Sequence, residues 1–341
     1  MNMKRRNPWL AVFVVLCSSV ACGGSKSSPP SPTSPGPTVI PPPPSALSVS
    51  SLSWRERSVT LAWSASAGAT AYIVEVGSAP GAADVQTTNA SGPGATISGL
   101  RLGRTFARVK ARNDAGTSAA SNEVPLFVAD FQDFVEALFL GSGAAVGVGA
   151  PNNHCPLPGG GRLSGFNRGS VRARIWTGLG ARGYRTTIER TLNQATDASI
   201  GAVTFAIEST DDRSPAADTN QVSFGFIEND ATCPLACTRG MWISPGIFRW
   251  AATWYTQAII DRGDPAPFAH EVAHATLGMC HVDSDSIGGD TNSIMATRAT
   301  GTIGLPSELT RFDIEATKAV YGAGLNAGAA KDDFRRAGLV K

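Results

Sequence analysis

Residues 270–281 read His-Glu-Val-Ala-His-Ala-Thr-Leu-Gly-Met-Cys-His and hold three of the chain's four histidines. His270 and His274 lie four apart, a spacing that stacks both imidazoles on one helix face, within reach of a single metal ion. Glu271 follows directly, so its carboxylate points to the flank of that face, where it can take a proton from a water activated by the metal. His281 constrains the fold most. An unbroken helix would carry it roughly 10 Å beyond His274 along the axis, whereas ligands stand only about 2.1 Å from one zinc. The chain must therefore leave the helix and turn back. Gly278 supplies the means, because glycine enters the left-handed conformation that ends helices without a Cβ clash. Imidazoles around an open position, with a carboxylate beside them, are the donors catalytic zinc uses. The expectation is Zn2+ held by His270, His274 and His281, with Glu271 as the catalytic residue. The plain alternative is a surface helix with incidental histidines.

This stretch resembles the metzincin zinc peptidases, most closely the matrix-metalloprotease branch, whose pattern is H-E-x-x-H-x-x-G-x-x-H followed by a methionine turn. Here one extra residue precedes Gly278, while the interval from Gly278 to His281 is unchanged. The resemblance implies that the return loop survives and the helix gains a residue. Asp283 is the alternative third ligand, since some relatives use aspartate. Asn292-Ser293-Ile294-Met295-Ala296 looks like the methionine turn, with Met295 as the apolar floor beneath the zinc; Thr297 stands where some relatives carry a tyrosine. Leu309 to Ile314, ending in Tyr321-Gly322, resembles the last helix of matrix metalloproteases. Independently, Thr310 with Asp313 reads as a capping box and Gly322 as a stop. The resemblance implies an exported zinc-dependent endopeptidase acting on a protein or peptide substrate. The alternative is a catalytically inactive metzincin-like surface binding or adhesion protein, its site spoiled by the extra residue.

The amino terminus sets the compartment. Lys4, Arg5 and Arg6 precede an apolar run from Trp9 to Leu16, and small residues lead to Ala21-Cys22. Residues 1–22 read as a signal peptide, its apolar run too short to span a bilayer. Ser19-Val20-Ala21-Cys22 resembles a bacterial lipobox, which implies a cell-envelope lipoprotein anchored only through lipid at Cys22; free secretion is the alternative. Residues 23–45 form a Pro/Ser-rich linker that cannot bury a core and favours extended polyproline II.

Residues 46–127 change character. Ser58 to Trp63, Ala71 to Val76 and Thr105 to Ala111 are alternating β-rich runs between turn signals, which suits a β-sandwich. The stretch resembles a fibronectin type III domain, with Trp63 and Tyr72 as core aromatics and Asn113 to Ser118 as a turn. It reads as a spacer or adhesion module with a possible surface ligand of its own. The expected fold class is thus multidomain, a fibronectin type III β-sandwich followed by an α+β metzincin-like zinc peptidase domain.

Residues 128–169 connect the two, with an amphipathic helix at 131–140. The catalytic domain is expected over 170–324, with strands at 171–177, 202–207 and 221–227, a helix at 185–196 and a short edge strand at 240–244 lining the substrate cleft. Residues 325–341 read as a peripheral tail. Of six cysteines, Cys155, Cys233, Cys237 and Cys280 fall in the folded part. An exported chain favours two disulfides with three pairings open; Cys233 with Cys237 and Cys155 with Cys280 is the preferred set. Matrix metalloproteases silence their zymogens with a thiolate on zinc, which makes Cys155 the candidate for such a switch. The net charge is only +2, with no basic cluster outside the signal, which argues against a nucleic-acid partner.

Overall fold

The computed structural model describes residues 39–147, 161–214, 218–228, 233, 236–297 and 304–341. The expected signal peptide, Cys22 and the expected linker up to residue 38 lie outside the described residues, as do His154 and Cys155. No helix among the described residues is long and apolar enough to cross a membrane.

The first unit runs through β1 (Ser45–Ser53), β2 (Ser58–Ser64), β3 (Ala71–Gly77), β4 (Gln86–Ala90), β5 (Gly94–Ile97), β6 (Gly103–Asn113), β7 (Gly116–Ala120) and β8 (Val124–Val128). They form two antiparallel sheets, one ordered β1-β2-β5 and the other β4-β3-β6-β7, with β8 also pairing β6. Successive side chains alternate across a strand, so Val59, Leu61 and Trp63 of β2 face Tyr72, Val74 and Val76 of β3 and Ala107, Val109 and Ala111 of β6 in one core. Trp63 and Tyr72 meet edge to face, their centroids 5.4 Å apart. Asn113 closes the β6–β7 turn, its Oδ1 accepting from the amides of Ala115 and Gly116.

Helix α1 (Phe131–Leu140) leads out of the sandwich. Asp130 caps it, accepting from the amides of Gln132 and Asp133, and Gly141 ends it in the left-handed conformation at φ 60°. The second unit follows as β9 (Gly169–Trp176), α2 (Tyr184–Ala198), β10 (Val203–Thr210), β11 (Gln221–Phe226), β12 (Ala236–Ser244), β13 (Ile247–Tyr255), α3 (Gln257–Arg262), α4 (Ala266–Leu277), β14 (Val282–Asp283), β15 (Ala296–Thr297), α5 (Arg311–Gly322) and α6 (Lys331–Arg336). Its main sheet is ordered β10-β9-β11-β13-β12, parallel except for the antiparallel edge strand β12. Helices α2 and α4 pack on each other and on this sheet.

The sequence reading assigned no strand to 247–255 and began the edge strand at Gly240. Ile247-Phe-Arg-Trp-Ala-Ala-Thr-Trp-Tyr255 is nearly continuous in apolar residues, as an interior strand covered on both faces must be, so the alternation signal is missing. Pairing with β13 extends β12 back to Ala236. Gly322 is still helical; the left-handed glycine that follows α5 is Gly324, at φ 78°.

Phe268 seats α4. Its ring is stacked between Tyr184 of α2 at 4.0 Å and Tyr255 of β13 at 4.2 Å, centroid to centroid. Each such pair contributes about 0.5–1.5 kcal/mol beyond the area it buries. This fixes the helix two residues before His270.

The sandwich is not held off as a spacer. Trp54, in the β1–β2 turn, is 1% exposed. It stacks on Phe312 of α5 with centroids 3.6 Å apart and meets Phe134 of α1 edge to face at 5.1 Å. Its indole Nε1–H donates to Phe127 O, while its amide and the Ser53 hydroxyl both donate to the Glu315 carboxylate. Nor is the tail peripheral: Phe334, Leu339 and Val340 are buried, Lys331 pairs with Glu136, and Lys341 pairs with Asp130 and Asp133.

Candidate metal centre

Helix α4 is apolar on nearly every side because it lies between α2 and strands β12 and β13. Ala269, Val272, Ala273 and Leu277 are fully buried, and His270 and His274 are 8% and 2% exposed. Gly278 ends the helix at φ 61°, its amide donating to Ala273 O. A Cβ at this position would lie 2.3 Å from Ser164 O, so glycine is required for space as well as conformation. The helix runs on to Leu277 before the reversal.

The return strand is then built by backbone pairing. The Cys280 amide donates to Leu138 O, the Val282 amide to Met295 O, and β14 pairs in parallel with β15. His281 comes round to the other two imidazoles. The Nε2 atoms of His270, His274 and His281 stand 3.1 Å, 3.2 Å and 3.2 Å apart. Asp283 is not part of this group. Its Oδ2 accepts from the amide and hydroxyl of Ser286 in a local turn.

The tautomers show what such a triangle needs. His270 Nδ1 lies 2.7 Å from Ile294 O, and His274 Nδ1 lies 2.6 Å from Met279 O. A carbonyl oxygen can only accept, so both Nδ1 atoms carry hydrogen, and each ring turns its Nε2, the nitrogen that can ligate, inward. Converging lone pairs repel unless an electrophile stands between them. Nitrogens about 2.0–2.1 Å from a tetrahedral zinc stand about 3.3 Å from one another, close to the separations here. The residues present fit a divalent metal, and among the described residues this is the cluster able to hold one. Burial, together with the like charges of His270 and His281, pushes the His274 imidazole well below its usual 6.5. It is therefore neutral and ready to ligate.

Behind the three imidazoles lies a second layer that aims them. Ile294, whose carbonyl receives His270 Nδ1–H, donates its amide to Asp313 Oδ2 at 2.9 Å, and the Ser293 hydroxyl donates to Asp313 Oδ1 at 2.5 Å. Asp313 also accepts from the Thr310 amide while its own amide donates to Thr310 Oγ1, the two bonds of the capping box of α5. Burial raises the Asp313 pKa, opposed by these same hydrogen bonds. Met295, next in this turn, is fully buried. One carboxylate thus caps a helix and clamps the turn that orients His270.

Glu271 points from α4 toward the sheet edge. Its Oε2 accepts from Thr238 Oγ1 of β12 at 2.5 Å, and Thr238 Oγ1 lies 2.7 Å from Thr253 Oγ1 of β13. Burial raises the Glu271 pKa above the usual 4.5, while His270 and the Thr238 hydrogen bond pull it down. Burial and the nearby Glu271 push the Tyr255 hydroxyl well above 10. Sequence reasoning missed both threonines, because Thr238 fell before the expected edge strand and Thr253 in a segment given no strand. The alternation of β12 about Thr238 was the available signal.

Cys233 and Cys237 form a disulfide with Cα atoms 5.6 Å apart. Cys280, beside His281, is also disulfide-bonded; its partner lies outside the described residues, as does Cys155.

No protein-family model matches the chain, and no curated protein matches it. Parts of solved structures do. A Fn3-like protein from Clostridium thermocellum is 25% identical over 26% of this chain and 95% of that one, with TM-score 0.24. The fn3 domain of the human collagen alpha-1(XX) chain is 26% identical over 28% of this chain and 92% of that one, with TM-score 0.23. The twitchin kinase region from C. elegans is 24% identical over 27% of this chain but only 17% of that one, with TM-score 0.23. These likenesses are to fibronectin type III-like domains and reach about a quarter of the chain. The sandwich stands on its own strand pairing.

Proposed function

We propose that this protein is an exported, zinc-dependent endopeptidase of the metzincin kind. The observation that supports it most is the triangle of three Nε2 atoms, two of them with Nδ1–H committed to carbonyls, on a helix that also carries Glu271. Zinc bound there supplies a Lewis acid that acidifies a water and polarises the scissile carbonyl. His270, His274 and His281 hold it, and Ile294 O and Met279 O keep the first two rings in the ligating tautomer. Glu271 takes the water's proton on its carboxylate and returns it to the leaving amine. Strand β12, at the end of the sheet, offers a backbone edge to which an extended peptide can add as a further strand. In this reading Cys22 carries the lipid that anchors the enzyme to a bacterial cell envelope, with the linker to residue 45 as its stalk.

A peptide library incubated with the zinc-loaded full-length protein tests the reading. Cleavage should stop on chelation and return with zinc. Glu271→Gln should retain zinc and lose about 10²–10⁴-fold in kcat, the range a positioned acid–base group contributes. Full cleavage by Glu271→Gln would remove the assigned base. Zinc uptake without cleavage would leave a metal-binding module.

A further inference from the structure

We propose that Thr238 is a positioning residue for Glu271, and that Thr253 fixes Thr238. The inference rests on the hydrolase reading and assigns part of its machinery to the sheet rather than to the helix.

The three oxygens define a direction. Thr238 Oγ1 donates its single proton to Glu271 Oε2, across 2.5 Å. Thr238 has no second proton, so the 2.7 Å contact is Thr253 donating to Thr238. The relay therefore runs Thr253 to Thr238 to Glu271, from an interior strand through the edge strand to the helix. Thr238 is 5% exposed and Thr253 fully buried, so water does not compete for either hydroxyl. The two are directly opposed in the β12–β13 register. A slip of one residue would turn Thr238 to the other face.

A glutamate side chain is long and rich in rotamers, and freezing it has an entropic cost. Tethering Oε2 meets that cost before substrate arrives and leaves Oε1 as the oxygen free to take the proton. The rigid sheet thereby sets where the base sits, which a helix backbone alone does not determine. It also joins the base to the strand that receives substrate. Thr238 acts through Glu271, whose carboxylate it holds.

Thr238→Val in the zinc-loaded full-length protein removes the hydroxyl at nearly constant shape. Kcat should fall about tenfold to a hundredfold, the effect of losing a hydrogen bond to a charged group. KM, zinc content and melting temperature should stay near wild type. Thr238→Ser should restore most of the rate, and Thr253→Val should show a smaller loss in the same direction. On a Glu271→Gln background, Thr238→Val should have no further effect. In a crystal of Thr238→Val, the Glu271 carboxylate should be displaced or spread over several rotamers. Wild-type kcat in Thr238→Val, failure of serine to rescue, or Glu271 left in place would overturn the assignment. So would a loss confined to KM or to bound zinc. If the wild type cleaves nothing while Thr238→Val still shifts Glu271 in the crystal, the hydrolase reading fails and the tether remains as geometry alone.

Discussion

In the sandwich, Trp63 meets Tyr72 across a core assembled from strands close together in the chain, and alternation alone says which residues point inward. In the second unit, His270 is oriented by Ile294, and Ile294 by Asp313 on another helix. The first unit spreads its stability over many equivalent apolar contacts, so no single polar bond decides its shape. The second concentrates consequence in a few buried hydrogen bonds, each holding the next. The two regions meet at Trp54, which seals the sandwich while stacking on Phe312, beside Asp313 in α5. The sandwich therefore braces the helix that clamps the turn behind His270.

The sharpest way to break this comparison is Trp54→Ala. Removing a fully buried tryptophan costs about 3–5 kcal/mol, and here the loss falls on the junction. Calorimetry should turn one unfolding transition into two, the second unit melting earlier. A single unchanged transition would show that Trp54 is not what couples the two units. Gly278→Ala comes next. A non-glycine residue in the left-handed region costs about 1–3 kcal/mol, and the new Cβ has no room beside Ser164 O. Zinc affinity should fall with stability, because the same residue aims the loop that carries His281.

The pH dependence sharpens the contrast further. Folded His274 has its pKa depressed by burial, whereas the unfolded imidazole protonates near 6.5. Its contribution to stability is present above pH 6.5 and is lost as pH falls from there toward the folded value. The loss approaches about 1.4 kcal/mol per pH unit in that window. Melting of the chelated protein between pH 7 and pH 5 should show this slope, reduced in His274→Gln; an equal slope in both would assign it elsewhere. The smallest effect is expected on the sandwich surface. Glu75 pairs with Arg108 and Lys110 at 2.7 Å each, and partly exposed pairs of this kind contribute about 0–1 kcal/mol. Glu75→Gln should therefore leave both melting temperature and zinc uptake nearly unchanged.

What could be read from the sequence follows the same division. The β2, β3 and β6 runs declared themselves by alternation, and α1 by helical periodicity. Scarce histidines in tight spacing, with Gly278 between them, pointed to a chain reversal there, and the three imidazoles do converge. Strand β13 was hidden by its own burial, since an apolar face on both sides erases the period of two. Thr238 and Thr253 were hidden with it, as threonine in a strand is ordinary and only the register makes these two meet. Trp54 carried no local sign of its role. Its partner Phe312 lies far along the chain, and nothing short of tertiary packing joins them. Asp313 was legible as a cap but not as a clamp for Ile294, because that second use depends on where the 293–295 turn comes to rest.

Zinc titration of the metal-stripped full-length protein, followed by calorimetry and elemental analysis, asks whether three ring nitrogens surround one divalent ion. One equivalent should bind per chain, with little proton release because His274 is already neutral, and none should bind in His274→Ala. Full uptake in His274→Ala, or none in the wild type, would rule that centre out.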